Sequence, residues 1–390
     1  MRETYADHAA TTPPAPEVRA AMLPFLAEGF GNPSSVHRRG EAAREAVETA
    51  RARVASLIGA APEEIVFTAS GSEANNLALK GAMAAAPAGR RRLVISAIEH
   101  PSVMETARHL KGLGAEVTIV PVERTGVLDP ARLREALGAD VAVVSVMTAN
   151  NEVGTLQPVA EIAALARGAG AKMHTDAVQA AGKLALDVDA LGVDLLSLAG
   201  HKFHGPPGAA ALYVRRRTRL VPLVHGGHQE RARRAGTENL PALVGLGVAS
   251  ERAATRLAGA EGARIAALGE RLRSGLLAAI PGARLNGDTE RRLPGLVNLC
   301  FPGVDGEAVL HELDLAGITV STGSACSAAA PGPSHVLIAL GASSEDAHAS
   351  VRFSLGESND DADVEHILTT TPNVVERLRA LAQRSVRSSA

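Results

Sequence analysis

A chain of 390 residues with a formal net charge of −2 has room for a large core and more than one domain, and it offers no electrostatic case for nucleic acid or an anionic membrane as main partner. Its two cysteines, Cys300 and Cys326, cannot build a disulfide framework, and no apolar stretch reaches ~18 residues without a charge or a proline. The start, Met1-Arg2-Glu3-Thr4-Tyr5-Ala6-Asp7, lacks the apolar core of a signal peptide, so the expectation is a soluble protein of a reducing cytoplasm with no membrane span.

From Glu41 to Ile58 the apolar residues Ala43, Ala46, Val47, Ala50, Val54, Leu57 and Ile58 form a helical stripe that Gly59 ends. Ile65 to Thr68 has the composition of a strand; Ser70-Gly71-Ser72 follows, and then a helix from about Glu73 to Ala86. Leu93 to Ser96 is the next strand, and Pro101 suits the first turn of the helix after it. Further strands are expected at Val117–Val122, Val141–Met147, Lys172–Thr175, Leu195–Leu198 and Ala209–Val214, with helices between them at Asp129–Leu137 and Val159–Arg167. Near-continuous apolar strands alternating with helices predict an α/β fold whose mostly parallel sheet is covered on both faces. In such sheets ligands sit beyond the carboxyl ends of the strands, where this chain carries Gly71, Ser72, His100, Asn151, Asp176 and Lys202. Arg252 to Leu277 has the pattern of one long helical region bridging to a second domain. That domain has short strands near Leu296–Phe301, Thr319–Ser321 and Val351–Leu355, and a frayed tail from Gln383. The boundaries expected are a large domain over 15–257 and a small α/β domain over 258–390, with an N-terminal arm, 1–14, packing against the small one.

Only five lysines are present, Lys80, Lys111, Lys172, Lys183 and Lys202, and one stands apart. Gly200-His201-Lys202 follows the apolar run Asp194-Leu195-Leu196-Ser197-Leu198, which puts Lys202 just past a buried strand. Desolvation there disfavours the ammonium form and frees the amine to make a Schiff base with an aldehyde. Schiff-base chemistry on an amino acid usually employs pyridoxal phosphate as electron sink. Candidates for the remaining parts of such a site exist, each with a plainer alternative. Asp176 could keep a pyridine nitrogen protonated or cap a helix. Ser70-Gly71-Ser72 could cradle a phosphate at a helix N-terminus or be a plain turn. His100 could stack on a ring or be a capping residue, and Arg352 could hold a carboxylate bidentately or form a structural ion pair. Cys326 lies in Ser321-Thr322-Gly323-Ser324-Ala325-Cys326-Ser327-Ala328-Ala329-Ala330, a small-residue run suited to a surface loop and a reactive thiol, whereas Cys300 sits in a strand pattern and is expected to be inert. The thirteen histidines form no recognisable metal-binding arrangement, so no metal is expected.

Taken in order, several stretches resemble the cysteine desulfurases of the NifS/IscS type, pyridoxal-phosphate enzymes of the aspartate-aminotransferase fold (fold type I). They are Asp7-His8-Ala9-Ala10-Thr11-Thr12, Gly31-Asn32-Pro33-Ser34-Ser35, Asn150-Asn151-Glu152-Val153-Gly154, Asp176-Ala177-Val178-Gln179, Gly200-His201-Lys202, Arg234-Ala235-Gly236-Thr237-Glu238-Asn239, Gly323-Ser324-Ala325-Cys326 and Arg352-Phe353-Ser354-Leu355-Gly356. The resemblance runs from Tyr5 to beyond Gly356 and belongs to the group with the longer cysteine loop.

It implies that Lys202 carries the cofactor and moves protons, that Asp176 pairs with the pyridine nitrogen, and that Gln179 contacts the phenolic oxygen. It also implies that His100 stacks on the ring and serves as acid or base, and that Asn151 lies near that oxygen and the substrate. Gly71, Ser72 and His201 would hold the phosphate, with Thr237 supplied by the second subunit of a homodimer. Arg352, with Asn32 nearby, would bind the carboxylate of L-cysteine. Cys326 would take the sulfur as a persulfide and pass it to an iron–sulfur scaffold protein or a sulfurtransferase. Relatives commonly have serine where Ala199 stands, and its absence removes one charge-assisted hydrogen bond, worth ~1.5–3 kcal/mol at most. The alternatives to desulfuration are a related aminotransferase, a selenocysteine lyase, or an assembly subunit without turnover.

Overall fold

A strand covered on both faces has no solvent side on which to be polar, and the apolar runs of this chain become such strands. The structure, a computed structural model, describes residues 2–322 and 332–388, with side chains described through 383. Its strands are β1 (Thr4–Tyr5), β2 (Ile65–Thr68), β3 (Arg92–Ser96), β4 (Glu116–Val120), β5 (Val141–Ser145), β6 (Lys172–Asp176), β7 (Leu195–Ala199), β8 (Ala210–Val214), β9 (Arg284–Leu285), β10 (Leu296–Cys300), β11 (Ile318–Thr319), β12 (Ser321–Thr322) and β13 (Ser350–Ser354). Seven of them make the main sheet, in the order β2-β8-β7-β6-β5-β3-β4. β4, β3, β5, β6 and β7 run parallel, and β8 is antiparallel to both β7 and β2. The two reversals cancel. β2 therefore points the same way as β7, and the carboxyl ends of β2, β3, β5, β6 and β7 open at one end of the sheet.

The helices start and stop where local chemistry directs. Helix Arg38–Leu57 ends before Gly59, which takes the left-handed conformation at φ +68°. Helix Gly71–Ala84 starts two residues earlier than expected because Ser70 caps it. The Ser70 hydroxyl accepts the Glu73 N–H, and the Glu73 carboxylate accepts the Ala69 N–H, a reciprocal pair that fixes the first turn. Helix Pro101–Gly112 begins on its proline with His100 as the cap.

The expected single helical region Arg252–Leu277 is instead two helices, Leu240–Leu257 and Glu261–Ala279. The break spans Ala258, Gly259 and Ala260, and the two apolar faces serve different cores. Leu243, Leu246, Ala249 and Ala253 pack with the main sheet and its helices. Leu268, Leu272 and Leu276 join Val297, Leu299, Phe301, Val351 and Phe353 in a second core. Where Leu240–Leu257 crosses Arg38–Leu57 the contact is close: a Cβ on Gly247 would lie 2.6 Å from Ala50 Cα.

The second core lies against a four-stranded antiparallel sheet, β12-β13-β10-β9. The amino end of the chain joins it, since β1 pairs in parallel with β11 and Ala6 belongs to the same apolar cluster. The last helix, Asp361–Ser388, contributes Val364, Ile367, Val374 and Val375 to this core, and its backbone stays helical through the stretch expected to fray.

Candidate active site

The strand ends open into a cleft of ≈ 280 Å³ whose lining includes Gly71, Ser72, His100, Asn151, Asp176, Gln179, His201, Lys202 and Arg352. Lys202 reaches it because β7 is buried along its whole length and the chain then turns sharply through Gly200–Lys202. Its Nζ donates to the carbonyls of Ala9 and Ala10, both at 2.7 Å. Those carbonyls are held in place by the stretch Asp7–Thr12, which wraps the lysine turn. The Thr12 N–H and hydroxyl both donate to the His201 carbonyl, at 2.8 and 2.9 Å, and the Ala9 N–H donates to Ser354 Oγ at 2.9 Å. Sequence reading gave this stretch no role of its own; here it forms one wall of the cleft.

Asp176 ends β6 and is 5 % exposed. One oxygen accepts the Val178 N–H at 3.0 Å, which is the local capping role. The other accepts from Asn75 Nδ2 at 2.6 Å. Asn75 also donates to Ser102 Oγ at 2.9 Å, and that hydroxyl lies 2.8 Å from His100 Nδ1. Because Nδ1 also accepts the Ser102 N–H at 3.1 Å, the Ser102 hydroxyl proton points to the ring and His100 carries its own proton on Nε2. Burial holds this ring below the ordinary histidine range, with Asp176 opposing and Lys202 and His335 reinforcing the effect, so His100 is neutral near pH 7. Asn75 and Ser102 escaped the sequence reading. Asn75 is buried on the helix face that carries Ala74, Leu77 and Ala78, a placement that the sequence does not mark.

Gly71 and Ser72 form the first turn of their helix, whose N–H groups have no partner within the helix. Gly71 sits in a crowded place: a Cβ there would lie 2.8 Å from Val178 Cγ2, so a larger residue would need that side chain to shift. His201 presents Nδ1 to Thr11 Oγ1 at 3.1 Å, and burial, then Lys202 and Lys183, push its pKa down to about 4. The Gln179 amide donates to the Ala9 carbonyl at 2.8 Å and accepts from Lys183 Nζ at 2.9 Å. Arg352, on β13, is 3 % exposed. Its guanidinium donates to the Asn151 carbonyl at 2.9 Å and to Asp7 Oδ1 at 2.7 Å, so the structural ion pair exists, while its buried Nε finds no partner among the described residues.

Two expected site residues are not brought together with these. Asn32 is exposed, its side chain accepting the Ser34 N–H at 2.9 Å, and Thr237 is exposed as well; neither lines the cleft. Cys326 lies outside the described residues. Cys300 is buried, and burial, then Asp346, push its thiol up to about 11. Among the described residues no group of three or more His, Cys, Asp or Glu could hold a metal ion, and no helix is long and apolar enough to cross a membrane.

This donor set matches what a phosphorylated pyridine aldehyde asks of a protein. It provides an amine at the mouth of a buried strand, a carboxylate on the next strand, a helix N-terminus for the phosphate and a neutral imidazole beside them. The family model "Aminotransferase class-V" matches residues 4–367. A cysteine desulfurase IscS of Dictyoglomus turgidum is 44% identical over 381 residues, covering 98% of this chain and 96% of the relative. A cysteine desulfurase of Gluconacetobacter diazotrophicus is 46% identical over 384 residues, covering 98% and 96%. Among solved structures a NifS-like protein superposes with a TM-score of 0.91 at 35% identity, over 97% of this chain and all of its own. The chain belongs to the class-V aminotransferase family, whose cofactor is pyridoxal 5'-phosphate.

Proposed function

We infer that the chain is a cysteine desulfurase that converts L-cysteine to L-alanine and passes the sulfur to Cys326 as a persulfide. One observation carries this reading: a single cleft at the strand ends gathers Lys202, Asp176, His100 and Arg352. Bound pyridoxal phosphate supplies the electron sink for charge that develops on the substrate carbons. Lys202 would hold it covalently, and the same amine is placed to move the substrate α-proton. Asp176 keeps a proton on the pyridine nitrogen, and Gly71, Ser72 and His201 bind the phosphate. His100 lies against the ring with Nε2–H as its available proton, and Gln179 donates to the phenolic oxygen. Arg352, with Asn151 beside it, holds the substrate carboxylate. The Cys326 thiolate forms an S–S bond to the substrate sulfur as the C–S bond breaks, and the carbon left behind takes a proton to become the methyl group of alanine.

The wider context belongs to the same proposal. Thr237, exposed on one chain, completes the phosphate site of a second copy in a homodimer, and Asn32 joins Arg352 at the substrate carboxylate. The large domain spans 15–257 and the small one 258–390, with the arm 1–14 starting on the latter and running on to the Lys202 turn of the former. The persulfide goes to an iron–sulfur scaffold protein or a sulfurtransferase in the cytoplasm.

Incubation with L-cysteine, with alanine and sulfide both measured, tests the function. Wild type should form alanine, Lys202→Ala none, and Cys326→Ser little. Full turnover of the natural substrate by Cys326→Ser would point instead to an aminotransferase. Pyridoxal phosphate binding without alanine production would point to an assembly subunit.

A further inference from the structure

Lys183 is a cation placed behind the cleft with a task that the reaction above leaves unassigned. Its Nζ donates to Gln179 Oε1 at 2.9 Å, while Gln179 Nε2 donates to the Ala9 carbonyl at 2.8 Å, the same carbonyl that receives Lys202 at 2.7 Å. An ammonium has only donors and a carbonyl only lone pairs. The two partners therefore agree on one orientation of the amide. Its oxygen must face Lys183, its nitrogen must face Ala9, and the second N–H is left for the cleft that Gln179 lines. The far side of Lys183 is a small cavity of ≈ 50 Å³. The ionisable groups lining it with Lys183 are His8, Lys202, His204, Arg256, Glu261 and Glu357, and His201 and Arg352 also feel its charge. Removing the Lys183 donor would allow the amide to turn over and present its oxygen to the cleft.

We propose that Lys183 is a positioning residue, which locks the Gln179 carboxamide with an N–H edge toward the phenolic oxygen of the cofactor. This rests on the reading that the cleft holds pyridoxal phosphate. Burial, then the charges of Lys202 and Arg352, lower Lys183 to about 7, so its charged form persists only in part near neutral pH, and that form is the one the Gln179 oxygen favours.

The test is a pH titration of the visible absorbance of the cofactor-loaded enzyme, without substrate. An N–H donated to the phenolic oxygen draws electron density away from the lysine-linked nitrogen, and losing it raises the midpoint; loss of the Lys183 charge acts in the same direction. Lys183→Met is expected to move the midpoint up by about one pH unit, whereas Lys183→Arg, which keeps donor and charge, stays within about 0.3. Gln179→Leu should shift it as well, and in the double variant the combined shift should fall short of the sum, because the part carried by the amide is lost only once and only the direct effect of the Lys183 charge adds. An unshifted Lys183→Met, or additive shifts in the double variant, overturns the proposal. If Lys183→Met does not fold, an unshifted Gln179→Leu or a shifted Lys183→Arg overturns it, and the opposite pair of results supports it. A reconstituted wild type with no visible absorbance overturns the underlying cofactor reading instead.

Discussion

Asn75 donates to Asp176 Oδ2 at 2.6 Å, the shorter of that carboxylate's two hydrogen bonds described above. The same amide reaches Ser102 and, through it, His100, so one side chain orients both the residue proposed for the pyridine nitrogen and the residue proposed to lie on the ring. Asn75→Ala is expected to weaken pyridoxal phosphate binding about tenfold, the scale of one lost hydrogen bond to a charged group. Asn75→Asp should weaken it further, by setting a second carboxylate against Asp176. Titration of the apo-protein with cofactor measures both, and wild-type affinity in either variant would count against this link.

Glu99 shows what burial does to a carboxyl next to the site. It is fully buried, and one oxygen accepts from Ser96 and from the Met147 N–H at 2.9 Å, while the other has no partner among the described residues. Burial pushes its pKa up to about 8 against the pull of those two bonds. In the unfolded chain it ionises near its ordinary value of 4.5, so between that pH and about 8 the native state holds the extra proton. The Glu99 contribution to stability must then fall as pH rises through that window. Glu99→Gln, a neutral mimic of the protonated acid, should remove this slope and gain several degrees over wild type in melting temperature at pH 8 relative to pH 5. Melting curves that keep the same separation at both pH values would refute it.

The two cysteines should divide cleanly. Cys300, its thiol held up to about 11, has almost no thiolate near neutral pH. Cys300→Ser is expected to keep turnover within about twofold, and trapped persulfide should map to Cys326 alone. A persulfide found on Cys300 would require a different route for the sulfur.

Gly247 predicts a stability effect remote from the chemistry. Its missing Cβ would meet the Ala50 backbone at 2.6 Å, where two helices cross, and backbone cannot step aside as a flexible side chain can. Gly247→Ala should therefore destabilise the protein by ~1–3 kcal/mol through overpacking, despite the better helix propensity of alanine. Thermal unfolding measures it, and a raised melting temperature would show that the crossing has slack.

The main sheet was legible because its strands are buried on both faces and are written as plain apolar runs. Direction along a parallel sheet then brought Asp176, His100 and Lys202 to one end without any knowledge of contacts. Other features depend on tertiary placement. Asn75 lies inside a helix, where nothing local separates a polar group facing a strand end from one facing solvent. The apolar stripe from Arg252 to Leu277 is continuous in sequence, although its halves face different cores across the turn at Gly259. Lys183 drew no attention because its partner, Gln179, gains significance only once its amide is seen between two groups of opposite hydrogen-bonding type.

The amino end has a practical consequence. β1 zips onto β11, Asp7 meets Arg352, and the Ala9 and Ala10 carbonyls receive Lys202, so the first ten residues stitch both sheets to the reacting centre. Trimming them as a dispensable leader would dismantle the catalytic wall while leaving either lobe's own core nearly whole. A purification handle is better fused beyond the long closing helix, and a split-protein design that separates the two lobes must decide which one keeps the seam.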